Sequence, residues 1–181
     1  MKVTTGKFKG RNIRMPKGIR PTQGKARKAI FDILGGIEGL SFLELFSGSG
    51  AVGIEAASRG AAEVVFVENN PNVLKVLSSN TAGILDTQYL ILAQSVESAL
   101  ARLNRENKKF DIIFLDPPYY QDLPKKTLQT LEGYDILAPN GLIVVQHFKK
   151  ENLPDSLGVL TLFRQYKYSQ TLLSLYRKKE P

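Results

Sequence analysis

From Leu40 to Phe148 the chain alternates between two kinds of segment. Short, continuous apolar runs (LSFLELF, AEVVFVE, YLILA, FDIIFLD, GLIVVQHF) are separated by stretches with helical periodicity (SGAVGIEAASRG, NPNVLKVLSSNTAGIL, SVESALARLNREN, LPKKTLQTLEGYDIL). A run that is apolar at every position, not every second one, belongs to a strand buried on both faces, which is how parallel strands covered by helices read. The order βαβαβαβαβ therefore predicts an open, doubly wound α/β sheet. Chemistry in such a sheet sits outside the carboxyl ends of its strands.

The two ends depart from this pattern. Val159–Tyr166 and Thr171–Tyr176 alternate without a helix between them, so they are expected as an antiparallel hairpin finishing a mostly parallel sheet. At the start, KVTTGKFKGRNIRM alternates as a β-hairpin turning near Gly10 would. Pro16, Gly18 and Pro21 punctuate its end. TQGKARKAIFDILGG then reads as a helix, with Thr22 as N-cap, Ala26, Ala29, Ile30 and Ile33 on one face, and Gly35 and Gly36 as the stop. The 181 residues are expected to form one domain, with a basic extension over 1–36 ahead of a core over 37–181.

Composition narrows the function classes. Hydrophobic residues are 43% and charged residues 23%, a globular balance. No apolar run approaches the ~20 residues of a membrane span, and the N-terminus has no apolar core of a secretory signal. The absence of cysteine excludes disulfides, thiolate metal sites and a thiol nucleophile, and fits a reducing cytoplasm. The one histidine, His147, gives no metal-ligand spacing and reads as a strand-end or substrate-rim residue. The net charge of +8 favours an anionic partner, and the first 28 residues hold no acid at all. That basic segment is expected to dock nucleic acid; the competing reading is a solvated basic tail.

Three motifs carry chemistry. In FLELFSGSGAVGIEAASRGA a strand ends at Phe46, and Gly48, Ser49 and Gly50 turn into a helix whose free N–H groups suit a nucleotide-like cofactor. Gly48, Gly50 and Gly53 also satisfy a dinucleotide spacing, but no P-loop lysine follows. Glu44 helps to separate the candidates. A carboxylate aimed at the turn repels a pyrophosphate and welcomes the amino group of the methionine in S-adenosylmethionine. Glu68 ends the second strand about 20 residues after the turn, where an acid accepts from ribose hydroxyls. Asn69 lies next to it, placed for the adenine. After YLILA, the candidates for the adenine amine are Gln94 and Ser95.

The third motif, DPPY, ends the fourth strand. Asp116 can accept from an exocyclic –NH2. Pro117 and Pro118 have no N–H to donate and stiffen the backbone, so the Pro117 carbonyl becomes a second, fixed acceptor. Tyr119 offers a face for stacking. These residues describe a socket for a planar heterocyclic amine. Methyl transfer to that amine is a matter of positioning and needs no strong base, because the nitrogen becomes acidic once alkylated.

The blocks GKFKGRNIRMPKGIRPTQGKARKAIFDIL, LELFSGSGAVGIEAASRGA, FVENN, FDIIFLDPPYY and GLIVVQH closely resemble the RsmD family over nearly the whole chain. These are bacterial enzymes that methylate the 2-amino group of a guanine in 16S rRNA. The resemblance implies a Rossmann-like class I S-adenosylmethionine-dependent methyltransferase sheet, mostly parallel with an antiparallel C-terminal hairpin. It implies 16S rRNA or the assembling 30S subunit as partner, a monomer in the cytoplasm, and no metal. Glu44, Phe46, Gly48, Gly50, Glu68, Asn69 and Ser95 would hold the cofactor. Asp116, Pro117, Pro118 and Tyr119 would hold the target guanine. Lys9, Arg11, Arg20, Lys25 and Arg27 would grip RNA phosphates. The sequence departs from the family pattern at Glu44, usually Asp, and at Gln146, often Glu.

Other readings keep the socket and change the substrate: adenine N6 in DNA or RNA, or a glutamine amide. The absence of an inserted target-recognition domain argues against a sequence-specific DNA enzyme. A nucleic-acid binder without catalysis would leave the cofactor motifs unused, and a nicotinamide-dependent oxidoreductase would leave DPPY unexplained.

Overall fold

The computed structural model describes residues 1–16, 24–82, 87–118 and 122–179, the side chains of residues 24–26 excepted. The chain forms two compact units, Met1–Gln94 and Ser95–Pro181. Among the described residues there are eight strands and five helices, the α/β class that the alternating pattern predicts.

The first unit holds β1 (Ser41–Leu45), β2 (Glu63–Glu68) and β3 (Gln88–Ala93), paired in parallel with β2 in the middle. Leu43 lies opposite Val65, and Val65 opposite Leu90. The interiors of β1 and β2 are buried, as uniformly apolar runs require, whereas Tyr89 and Leu90 of β3 are exposed. Helices α1 (Gly24–Leu34), α2 (Ala51–Ser58) and α3 (Pro71–Thr81) complete the unit. Every residue of α2 is buried. α3 begins with Pro71 in its first turn, and the Asn70 side chain caps it by accepting from the N–H groups of Asn72 and Val73 at 3.0 and 3.4 Å. Thr22, the expected cap of α1, lies outside the described residues.

The expected N-terminal hairpin is present in abbreviated form. One antiparallel bridge joins Lys2 to Asn12, and the N–H of Ile13 donates to Met1 O at 2.7 Å. No longer ladder forms because Thr4, Thr5, Lys7 and Phe8 bond to α2, while the N–H groups of Lys9, Gly10 and Arg11 donate to Gly6 O, Val3 O and Phe8 O within the segment. Thr4 and Thr5 donate their N–H groups to the Glu55 carboxylate at 2.8 and 3.0 Å. Lys7 N donates to Ser58 O at 2.7 Å, and Phe8 N to Ser58 Oγ at 2.8 Å. A backbone group used in this way is not available to a partner strand. The described part of the segment, residues 1–16, is thus fastened to the unit and is not a solvated tail.

The second unit holds β4 (Phe110–Leu115), β5 (Leu137–Phe148), β6 (Ser156–Leu157), β7 (Leu160–Tyr168) and β8 (Thr171–Lys178), with helices α4 (Val96–Arg105) and α5 (Leu123–Glu132). β4 and β5 are parallel; β8 pairs antiparallel with β5 on one side and β7 on the other, and β6 pairs antiparallel with β7. The predicted terminal hairpin is therefore β7–β8. β6 is an addition that the sequence pattern does not reveal. α5 stops at Glu132, and β5 starts at Leu137, where the sequence reads as helix tail. The early part of β5 carries a register shift against β4 between Phe110 and Ile112. Gly141 belongs to this irregularity, since a Cβ there would stand 2.7 Å from Leu137 Cδ1 and 3.0 Å from Phe110 O.

Candidate active site

In the first unit the site residues gather where β1 and β2 end. Glu44 is 3% exposed, so it is not a surface acid on a strand edge. Its Oε2 accepts the N–H of Gly53, in the first turn of α2, at 3.0 Å. That is a favourable place for a carboxylate, because unsatisfied N–H groups and the helix dipole both point at it. A Cβ on Gly53 would lie 2.8 Å from that oxygen and 2.4 Å from a Phe66 ring carbon, so only glycine fits. Phe46 turns the chain out of β1 with a left-handed φ of 57°, uncommon for a bulky residue.

The glycine turn is held on several sides. Ser47 Oγ donates to Glu44 O at 2.7 Å and accepts from Val67 N at 2.9 Å, tying the end of β1 to β2. Gly48 N donates to Glu68 Oε2 at 3.0 Å. Glu68 Oε1 accepts from the N–H groups of Asn69 and Asn70, each at 2.9 Å. The half-buried Glu68 carboxylate is thereby fixed beside the turn by backbone donors, and the lone pairs these leave over can still accept from hydroxyls. Asn69 is exposed. Asn80 Nδ2 donates to Ser49 O and to Arg14 O, both at 2.9 Å, and its Oδ1 accepts from Arg14 N at 2.9 Å.

Gln94 and Ser95, the two adenine candidates, behave differently. Ser95 is the N-cap of α4, its Oγ accepting from Ser98 N at 3.3 Å. Capping uses one lone pair of that half-buried hydroxyl and does not bear on the cofactor contact expected of Ser95. Gln94 Oε1 is buried and without a hydrogen-bond partner.

The basic positions also divide. Lys9 is exposed, and Arg11 is half-buried with its guanidinium donating to Asn80 O at 3.0 Å. Arg20 and the Lys25 side chain lie outside the described residues. Arg27 does not serve as a phosphate contact: it is 1% exposed and faces Glu55, which is fully buried, at 3.5 Å. That ion pair is close but not aligned as a hydrogen bond, so the Nε–H has no acceptor; the other guanidinium nitrogens donate to Lys2 O and Met1 Sδ. Burial pulls the Arg27 guanidinium below its usual range, and the charges of Glu55 and Glu44 oppose that pull. Arg27 is an internal strut.

In the second unit β4 carries its apolar run to Asp116. Asp116 is half-buried, Pro117 buried and Pro118 exposed; Tyr119 lies outside the described residues. The pairs Phe114–Val144 and Leu115–Val145 set the register that brings Asp116 beside Gln146. Gln146 is 5% exposed, its Nε2 donates to Asp116 Oδ2 at 2.8 Å, and its Oε1 is buried without a partner. Sequence reasoning does not assign Gln146 this position, because one glutamine in an apolar strand carries no signal until the strand register is known.

His147, expected as a strand-end or substrate-rim residue, is the penultimate residue of β5 and is fully buried. Nε2 lies 2.8 Å from Ser174 Oγ and Nδ1 3.2 Å from Phe148 O, while Gln165 Nε2 donates to Ser174 Oγ at 2.8 Å. One arrangement satisfies all three contacts: Nδ1–H donates to the carbonyl, and Nε2 accepts the Ser174 hydroxyl proton. Burial holds this imidazole below the usual histidine pKa. Among the described residues no cluster of His, Cys, Asp and Glu could hold a metal ion, and no helix is long and apolar enough to cross a membrane.

Comparison with known proteins adds an independent line. A family model described as "Conserved hypothetical protein 95" matches residues 1–177. The Bacillus subtilis (strain 168) protein "Putative rRNA methyltransferase YlbH" is 33% identical over 183 residues, covering 99% of this chain and 100% of that protein. The Escherichia coli (strain K12) "Ribosomal RNA small subunit methyltransferase D" is 30% identical over 182 residues, covering 99% of this chain and 90% of that protein. A solved structure, "Putative methyltransferase yhhF from Escherichia coli", superposes with a TM-score of 0.87 at 30% identity, covering 99% of this chain and 98% of that one.

Proposed function

The chain belongs to the RsmD family and is a methyltransferase; from that premise we propose that it methylates the exocyclic N2 amine of a guanine in 16S rRNA, with S-adenosylmethionine as donor. The observation that carries this reading is the half-buried Asp116 carboxylate at the end of β4, fixed by the Gln146 amide and followed by two prolines. The substrate class draws support from the relatives named as rRNA methyltransferases, one of them for the small subunit.

The residues of the first unit fit the donor. Glu68, held by three backbone N–H groups, would accept from ribose hydroxyls. Gln94 Oε1, buried and unpartnered, would accept from the adenine amine. Glu44, Phe46, Gly48, Gly50 and Asn69 would line the rest. S-adenosylmethionine would supply an electrophilic methyl group on a sulfonium, the S–CH3 bond breaking to leave the neutral thioether S-adenosylhomocysteine as the N–C bond forms.

On the protein's side, Asp116 orients the amine by accepting one of its N–H bonds, leaving the nitrogen lone pair free to form the new N–C bond. The nitrogen becomes cationic as it gains the methyl, and its proton leaves to Asp116 or to water. The cost of taking a stacked guanine out of its helix is a few kcal/mol, offset by contacts in the socket. Lys9, Arg11, Arg20 and Lys25 would bind phosphates in a salt-sensitive way.

The test is transfer of labelled methyl to 16S rRNA, 30S particles and DNA in parallel, followed by nucleoside analysis. N2-methylguanosine from an rRNA substrate is the expected product; N6-methyladenosine would replace this reading with the adenine one. Asp116→Ala should abolish transfer and leave S-adenosylhomocysteine binding, read by titration calorimetry, largely intact. Loss of both together would mean that Asp116 has another role.

A further inference from the structure

We propose that Gln146 selects guanine among the amino bases, its buried Oε1 accepting the ring N1–H that lies next to the amine held by Asp116. The inference rests on the reading that Asp116 receives the target amine.

The geometry assigns the two ends of the amide different tasks. Nε2 donates to Asp116 Oδ2 at 2.8 Å. Turning the amide over would set its oxygen against a carboxylate oxygen, with no proton between them, so the carboxylate fixes the orientation. Oε1 is then the end of the amide that the carboxylate does not use, and it is buried without a donor. Buried polar atoms are almost always satisfied, and an exception at a functional site asks for a reason. A donor that arrives with the substrate is such a reason.

The amino bases differ in what stands next to the amine. In guanine the neighbouring ring nitrogen, N1, carries a hydrogen, so the edge shows two donors side by side. In adenine N1 beside the 6-amine is an acceptor, and in cytosine N3 beside the 4-amine is an acceptor. Asp116 and Gln146 Oε1 together present two acceptors, and among the amino bases only guanine brings two adjacent donors to them. Adenine or cytosine in the same place would leave Oε1 unsatisfied and facing a lone pair. Such a mismatch discriminates strongly, because a site built to pair a donor is left with a buried orphan when the donor is missing. The half-buried Asp116, hydrogen-bonded to the same amide, is the partly open side from which the proposal requires the base to enter.

The experiment uses 2-aminopurine, which keeps the 2-amine of guanine and has a bare N1. Once nucleoside analysis has located the methylated base, RNA carrying guanine or 2-aminopurine there is compared by kcat/KM. The wild-type enzyme should prefer guanine by at least about tenfold, and Gln146→Met, of similar length, or Gln146→Leu should bring the ratio close to one. Parity in the wild type, or an unchanged preference in a folded variant, overturns the proposal. If neither variant folds, the wild-type ratio decides alone, preference supporting and parity refuting. Failure of the underlying reading looks different: Asp116→Ala would then still methylate guanine.

Discussion

Gly53 and Glu44 occupy each other's only available space: the glycine N–H meets the carboxylate at 3.0 Å, and a Cβ on the glycine would stand 2.8 Å from that same oxygen. The Phe66 ring blocks the other direction at 2.4 Å. Gly53→Ala must therefore displace a buried carboxylate or a buried ring. The expected destabilisation is about 1–3 kcal/mol, read as a lower urea midpoint with an unchanged m-value. Because Glu44 moves with it, S-adenosylhomocysteine affinity should fall as well. An unperturbed midpoint would show that the packing here is looser than these distances imply.

The Glu55 carboxylate is the hub of the N-terminal segment. It accepts from Thr4 Oγ1 at 2.6 Å, from the N–H groups of Thr4 and Thr5, and from Arg59 Nε at 3.2 Å, and it faces Arg27. Glu55→Ala leaves the buried Arg27 guanidinium without its counter-charge, a loss of about 3–5 kcal/mol when one partner of a buried pair is removed. Thermal melting should show a large drop in Tm. Hydrogen exchange should quicken at Thr4 and Thr5, whose N–H groups lose their acceptor.

His147 gives a clean pH experiment, because the chain has no other histidine. Its folded-state pKa is depressed by burial below the ordinary 6.5. Below about 6.5 the unfolded chain takes up a proton that the folded chain refuses. Protons favour the unfolded state there, so this residue's contribution to stability is full above that pH and declines as pH falls through it, until the folded imidazole is itself protonated. The single imidazole resonance should titrate with a midpoint under 6.5 in the native protein. His147→Gln should flatten this part of the stability–pH curve, and a native midpoint at or above 6.5 would contradict the burial argument.

Under the proposed rRNA reading, the basic residues separate by salt dependence. Lys9 is exposed, and the half-buried Arg11 retains donors beyond the one given to Asn80. Each, changed to alanine, should reduce the slope of log K against log salt for rRNA binding by about one. Arg27→Ala should instead lower Tm without a matching change in slope among molecules that remain folded. Filter binding of 16S rRNA across a salt series distinguishes these outcomes.

Much of the architecture is legible from the apolar runs because a strand covered on both faces leaves few polar positions. β1, β2 and β4 are of this kind, and the sequence locates each to within a residue or two. The start of β5 is not legible: Pro139 and Asn140 look like a turn, and only the pairing of Leu137 with Phe110 shows that the chain is already in the sheet. β6, two residues long, has no periodicity to detect. At the site, Glu68 is legible from its spacing to the glycine turn. Gln146 is not, because its meaning depends on lying beside Asp116 in a neighbouring strand. The spacing that sets Arg27 on a buried face is present in the sequence: it stands three and four residues before Ile30 and Phe31, all three are almost fully buried, and that helical spacing shares one face.

Asn80 deserves a place in the design of any mutational survey. With one side-chain amide it grips the Ser49 carbonyl in the glycine turn and the backbone N–H and carbonyl of Arg14 in the basic segment. A lesion there would propagate in two directions at once, so a screen scoring either function alone would blame the wrong surface. Paired readouts on the same variant would reveal a common hinge pin.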